Sequence, residues 1–385
     1  MAKTSAIAAL LQSATDAGDV PGVSVAIGNK EGLLYEGAFG KRSLSADVAM
    51  TPDTVCWIAS MTKAVTGAAA MQLVDQGKLS LDDPIANVLP VLGDAKVLEG
   101  FEADGTARLR SAKRPITLRH LLTHTSGFTY DIWSADMGRY QHAHDIPGII
   151  TCAHKALTTP LLFDPGERWE YGIGIDWAGK AVEAASGQKL GQYLKANIFN
   201  PLGMTDTGFK IGPAQRERLA AIHVRTPEGL AATPIELTQT PEFEMGGGGL
   251  YSTTRDYLKF ARMILNGGSL DGNRILAPQT VSQMSQNAMG PIRCGVMKTA
   301  LPASSHDVAF TSGMQWGLSF MINPEKMATG RSQRSLAWAG LANSYYWIDP
   351  SRDLAGVFAT QILPFADPKA LKLFQDFETE VYRTH

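Results

Sequence analysis

The sequence predicts an α+β fold: one antiparallel sheet assembled from both ends of the chain, with a mostly helical region inserted between them. Three observations lead there. Runs rich in β-branched and aromatic residues occur near the N-terminus and return only near the C-terminus. Helical periodicity dominates between them. The breaks between successive strand-like runs carry turn residues rather than crossover helices, which suits antiparallel neighbours. The implied division is a discontinuous sheet domain, residues 1–79 with 236–385, and an inserted helical domain, residues 80–235.

In chain order, the N-terminal stretch up to Gly22 reads as an amphipathic helix rather than a secretory leader, because Asp16 and Asp19 interrupt its short apolar run. Val20–Ile27 and Leu33–Gly40 are expected strands joined by a turn around Asn29-Lys30-Glu31-Gly32. Residues 60–76 are Ala-rich with apolar residues at helical spacing, and Gly77 stops the helix. Further helices are expected over 117–122, 177–185 and 190–198, separated by loops. Thr253-Thr254-Arg255-Asp256 reads as a capping box opening a helix over 256–265, and Gly246–Gly249 as a tight turn, the alternative being a loop that passes close to the site. The C-terminal strands are expected at 315–322, 335–340, 344–348 and 354–361, followed by a helix over 368–382.

Composition excludes several classes. The 385 residues are 44% hydrophobic and 19% charged, enough for a large core, with 35 basic against 37 acidic side chains. That balance offers nucleic acid no basic field. Cys56, Cys152 and Cys294 are scattered and form no CxxC pair, which argues against a disulfide framework or a structural zinc site. His120 and His124 have the spacing of a zinc helix but lack its glutamate, so both are expected to be structural. No phosphate loop, dinucleotide fingerprint or G-x-S-x-G elbow is present. No run reaches the ~18 apolar residues a membrane span needs. The expectation is a cytoplasmic protein with no cofactor, no metal, no nucleic-acid or membrane partner, and a small-molecule substrate.

The chemistry points to Ser60-Met61-Thr62-Lys63. Three residues apart at a helix start, hydroxyl and ammonium share one face. The helix N-terminus favours an oxyanion nearby, and a desolvated lysine there can serve as base towards the serine. The tetrapeptide alone is weak evidence. It recurs at Ser186-Gly187-Gln188-Lys189, where a helix junction is the simpler reading.

The context strengthens the first copy. Val55–Lys63 resembles the nucleophile segment of the serine β-lactamase and penicillin-binding-protein superfamily, in the branch of class C β-lactamases and family VIII carboxylesterases. HLLTHTSGF (120–128), PGERWEY (165–171), NPLGM (200–204) and GGGGLYSTTRDYLKFARMILNGG (246–268) follow in that branch's order. The resemblance implies the β-lactamase/transpeptidase-like fold, Ser60 as nucleophile, Lys63 as its partner and Tyr171 as the catalytic tyrosine. Tyr171-Gly172-Ile173 lacks the asparagine of the usual Tyr-x-Asn triplet, and Trp338-Ala339-Gly340 stands where Lys-Thr-Gly is expected. Lys298-Thr299-Ala300 lacks the glycine and is set aside. On this reading Gly340 lets substrate approach the strand, and the N–H groups of Ser60 and Leu341 form an oxyanion hole. An indole at Trp338 supplies an apolar wall and one donor but no cation. Tyr130, Trp133 and Phe128 are candidates for an opposite aromatic wall. The expected activity is hydrolysis of short carboxylic esters through an acyl-serine. A β-lactamase, a D-alanyl-D-alanine carboxypeptidase and an acyltransferase are alternatives on the same scaffold.

Overall fold

The structure is a computed structural model describing residues 2–385, with side chains described from Ser5 onward. Its centre is an eight-stranded, wholly antiparallel sheet. In chain order the strands are β1 (Gly22–Gly28), β2 (Leu33–Ser43), β3 (Val48–Ala49), β4 (Gln315–Trp316), β5 (Met321–Ile322), β6 (Leu336–Gly340), β7 (Ser344–Asp349) and β8 (Leu354–Ala359). Their spatial order is β4-β5-β6-β7-β8-β1-β2-β3. The N-terminal strand β1 thus pairs with β8, Ser24 opposite Ala359, and closes the sheet from both ends of the chain.

Strands β1, β6, β7 and β8 are buried on both faces, which is why they read as near-continuous apolar runs. The pleat sorts their side chains by alternation. Tyr345 stacks on Phe374 of the C-terminal helix α5 (Pro368–Thr384), with ring centroids 4.4 Å apart, and Trp347 meets Phe377 of the same helix. Tyr346 turns to the opposite face and meets Tyr257 of helix α4 (Thr254–Leu265) at 5.0 Å. Trp338 lies opposite Tyr346 in register, so it shares that inner face. The other helices used below are α1 (Ala2–Asp16), which packs on α5, α2 (Thr62–Asp75) and α3 (Gly174–Ser186), which pack on each other. No helix among the described residues is long and apolar enough to cross a membrane.

Several local expectations are corrected. The strand expected over 315–322 is two short strands folded back on each other, because Ser319 adopts φ 77° and Gly317 N–H bonds to Phe320 C=O. The region between the termini also holds a hairpin, Lys96–Phe101 paired with Ala107–Ser111. Its Asp104-Gly105 turn is the signal for it. The capping box at Thr253 is half made: its hydroxyl accepts Asp256 N–H, while the Asp256 carboxylate turns to Asp206 N–H and Lys259. Ser186 ends α3 and Lys189 is exposed beyond it, so the second Ser-x-x-Lys is a helix junction.

Candidate active site

Ser60 does not sit in the first turn of α2 but in a 3-10 turn, Ala59–Met61, immediately before it. Ala59 holds φ 42°, a left-handed conformation that costs a β-carbon-bearing residue energy and persists where surroundings enforce it. The surroundings are explicit. The strand Cys56–Trp57 pairs with Tyr251–Ser252, and both backbone groups of Trp57 bond to the Gln361 amide at 3.0 and 3.1 Å. Ile58 N–H donates to Leu250 C=O, the Thr62 hydroxyl accepts Leu250 N–H, and the Tyr257 hydroxyl donates to Met61 C=O at 2.9 Å. On the sheet side, a β-carbon on Gly340 would lie 2.4 Å from Ile58 C=O. Only glycine lets the end of β6 approach the serine turn this closely.

Lys63, the second residue of α2, is completely buried. Its Nζ donates to Ser60 Oγ at 3.0 Å, to the Tyr130 hydroxyl at 3.0 Å and to Gly247 C=O at 2.6 Å. Those three contacts use all the protons of an ammonium; the neutral amine has a lone pair to offer the serine. Burial lowers its pKa from 10.5 to about 7, against the opposing pull of the Asp176 carboxylate.

Tyr171, carried into the site just before α3, accepts the Trp338 indole N–H at 2.8 Å. Its ring lies 4.6 Å from Lys63 Nζ. Burial holds the phenols of Tyr171 and Tyr130 well above the usual tyrosine range, so both are neutral hydroxyls at physiological pH. Around them stands an aromatic box: Trp316 edge-on to Trp338 at 4.7 Å, His124 against Tyr171 at 4.5 Å, and Trp133 edge-on to Tyr171 at 5.5 Å.

The structure brings Ser60, Lys63, Tyr171, Tyr130 and Trp338 together, with Trp133 and Gly340 beside them. Three expectations change. Tyr130 is more than wall, since its hydroxyl contacts Lys63 directly. The Trp338 indole is 3% exposed and its N–H is engaged by Tyr171, so it supports the tyrosine rather than presenting a free donor. Phe128 belongs to the core behind the site: it stacks on Trp177 and lines a separate cavity of about 260 Å³ with Leu92, Leu157 and Leu161. Leu341 is half-buried directly after Gly340.

One participant takes a larger part than its sequence reading gave it, and one was not anticipated. Gly246–Gly249 is a turn, with the N–H groups of Gly248 and Gly249 both bonding to Met245 C=O, and it forms a strap across the site: successive carbonyls of Gly246, Gly247 and Gly248 accept from Thr66, Lys63 and the Trp57 indole. Four consecutive glycines were the available signal. Asp176, in the first turn of α3, is buried and accepts Gly247 N–H at 2.8 Å. Nothing in its local sequence distinguished it from a helix-start aspartate.

The chain is similar to known proteins over nearly its whole length. The chain is 33% identical to a lovastatin esterase of Penicillium rubens, over 97% of both chains. It is also 33% identical to monacolin J acid methylbutanoyltransferase of Aspergillus terreus, over 94% of this chain and 92% of that one. Unliganded simvastatin synthase (LovD) from Aspergillus terreus superposes with a TM-score of 0.87 at 30% identity, covering 100% of this chain and 98% of the other. EstCE1, a hydrolase with promiscuous acyltransferase activity, shares the fold with a TM-score of 0.79 at 22% identity. The Beta-lactamase family profile matches residues 7–379. With its antiparallel sheet and nearly its whole length accounted for, the chain belongs to the Beta-lactamase family.

Proposed function

We propose that this protein is a serine acyl-transfer enzyme acting on small, uncharged carboxylic esters, with Ser60 as nucleophile. The observation that carries the reading is the buried Lys63 amine, placed 3.0 Å from Ser60 Oγ and lowered by burial to about 7. In the acylation step Ser60 Oγ bonds to the ester carbonyl carbon and its proton passes to Lys63. The carbonyl oxygen becomes an oxyanion facing the backbone N–H groups of Ser60 and Leu341. As the C–O bond breaks, Tyr171 gives its proton to the departing alkoxide and recovers one from Lys63. Water then attacks acyl-Ser60 by the same relay in reverse, releasing the acid.

The sequence resemblance implies that Trp338 stands where lactam-processing members of the family carry a lysine, and its indole is committed to Tyr171. That supports neutral acyl groups over substrates anchored by a carboxylate. A second acceptor deserves equal testing, because relatives named as methylbutanoyltransferases are 33% and 30% identical to this chain over nearly the full length. In that reading an alcohol replaces water in the second step. A panel of p-nitrophenyl esters graded by acyl length, run beside nitrocefin and with added alcohols, tests both readings. Short esters are expected to outpace nitrocefin by at least about tenfold, the effect of about 1.4 kcal/mol from a missing charged hydrogen bond. Comparable kcat/KM values would contradict the ester assignment, and ester product formed from added alcohol would assign transfer.

A further inference from the structure

We propose that Asp176 is a positioning residue for this reaction: through Gly247 it holds the Lys63 amino group against Ser60, and its carboxylate is the buried counter-charge for the proton that Lys63 takes from the serine. The inference rests on the function proposed above and names a residue that reading does not require.

The link is short. Asp176 Oδ1 accepts the N–H of Gly247 at 2.8 Å, and the C=O of the same Gly247 accepts Lys63 Nζ at 2.6 Å. One residue of the glycine strap therefore joins carboxylate and amine. Its lack of a side chain is required, since a β-carbon on Gly247 would lie 2.5 Å from Asp176 Oδ2. That second oxygen is buried and has no hydrogen-bond partner. A carboxylate this poorly satisfied is costly in a core. If tethering the strap to α3 were its whole purpose, an asparagine would accept the same N–H at less cost.

The charge has an evident destination. Asp176 lies in the first turn of the 13-residue α3, where the helix dipole favours an anion; burial raises its carboxyl to about 6 against the pull of Lys63, so it is ionised at neutral pH, and protonated Lys63 is the cation that answers it. The other titratable groups around the pair are Tyr130 and Tyr171, both neutral phenols, the Cys152 thiol, pushed up to about 12 by burial, and His124, held neutral by burial and by Lys63. Lys63 and Asp176 are thus the two groups here whose charges answer each other. When Ser60 gives up its proton, the new ammonium forms beside an anion already in place, at no reorganisation cost.

The test separates charge from tether. The rate at which a fluorophosphonate labels Ser60 is followed against pH in the wild type, Asp176→Asn, Asp176→Leu and Lys63→Ala. Wild-type labelling should rise with a midpoint near 7, the position of Lys63. Asp176→Asn keeps the acceptor but removes the charge, so Lys63 should hold its proton less tightly. The midpoint should move to lower pH by about one unit or more, with the plateau rate down at least about tenfold. A midpoint unchanged in Asp176→Asn, with labelling lost only in Asp176→Leu, would reduce Asp176 to a tether and overturn the inference. A wild-type midpoint that survives in Lys63→Ala would instead overturn the function on which it rests, and Asp176's role with it. If Asp176→Asn fails to fold, Asp176→Glu and Asp176→Gln carry the same contrast at matched length: the charged variant should keep the wild-type midpoint and the neutral one should shift it.

Discussion

The Trp338 indole donates its N–H to the Tyr171 hydroxyl across 2.8 Å, from the inner face of β6 into the centre of the aromatic box. This bond spends the tyrosine's acceptor side on a fixed donor and leaves its proton for the reaction. Trp338→Phe keeps most of the ring and deletes the donor. A neutral hydrogen bond contributes about 1 kcal/mol, so kcat for a short ester should fall about fivefold with KM little changed. A kcat equal to that of the wild type would show that Tyr171 needs no such anchor.

Lys63→Ala and Tyr171→Phe should each lower kcat by at least about 10²-fold, the lower range for losing a positioned acid or base. Both act in one proton relay, so the double variant should lose little more than either single one. Steady-state kinetics on all three proteins checks this. Additive losses would mean separate roles, and an unaffected Tyr171→Phe would pass the proton-donor role to Tyr130, whose hydroxyl also contacts Lys63.

The pH profile follows from the direction of the Lys63 shift. Burial favours the neutral amine and brings the group from 10.5 down to about 7. Only the neutral form can take the Ser60 proton, so kcat/KM should be low in acid, rise through about 7 and level off above it. A rise centred near 10 would mean that Lys63 titrates as an exposed lysine.

Gly340→Ala places a β-carbon 2.4 Å from Ile58 C=O, against backbone that β6 and the serine turn both hold firm. Overpacking of this kind costs about 1–3 kcal/mol. Denaturant unfolding should show that loss, and ester turnover should drop with it because the turn bearing Ser60 is displaced. Unchanged stability would mean that β6 does not press on the turn.

The parts of this site legible in the sequence are those with a local signature. Ser60 and Lys63 are three residues apart before an Ala-rich run, and the sheet strands are apolar runs bounded by turns, so spacing and periodicity reveal them. Trp338's partner could not be read this way, because Tyr171 lies 167 positions away and only the register of β6 against β7 decides which way the indole points. The partners of Gly247 and the role of Asp176 were not legible for the same reason: they arise where α2, α3 and the glycine strap meet, and each residue alone reads as a turn or a helix start. Phe128 shows the opposite failure. Its neighbours in sequence belong to the site, yet the chain turns its ring onto Trp177.

The central claim is that Ser60 carries the acyl group. Intact-protein and peptide mass spectrometry after rapid acid quench of the reaction with p-nitrophenyl butyrate tests it most directly, in the wild type and in Ser60→Ala. The account predicts a butyryl adduct confined to the peptide bearing Ser60 in the wild type, and neither adduct nor ester turnover in Ser60→Ala. A butyryl group on any other residue, or full turnover by Ser60→Ala, would contradict it.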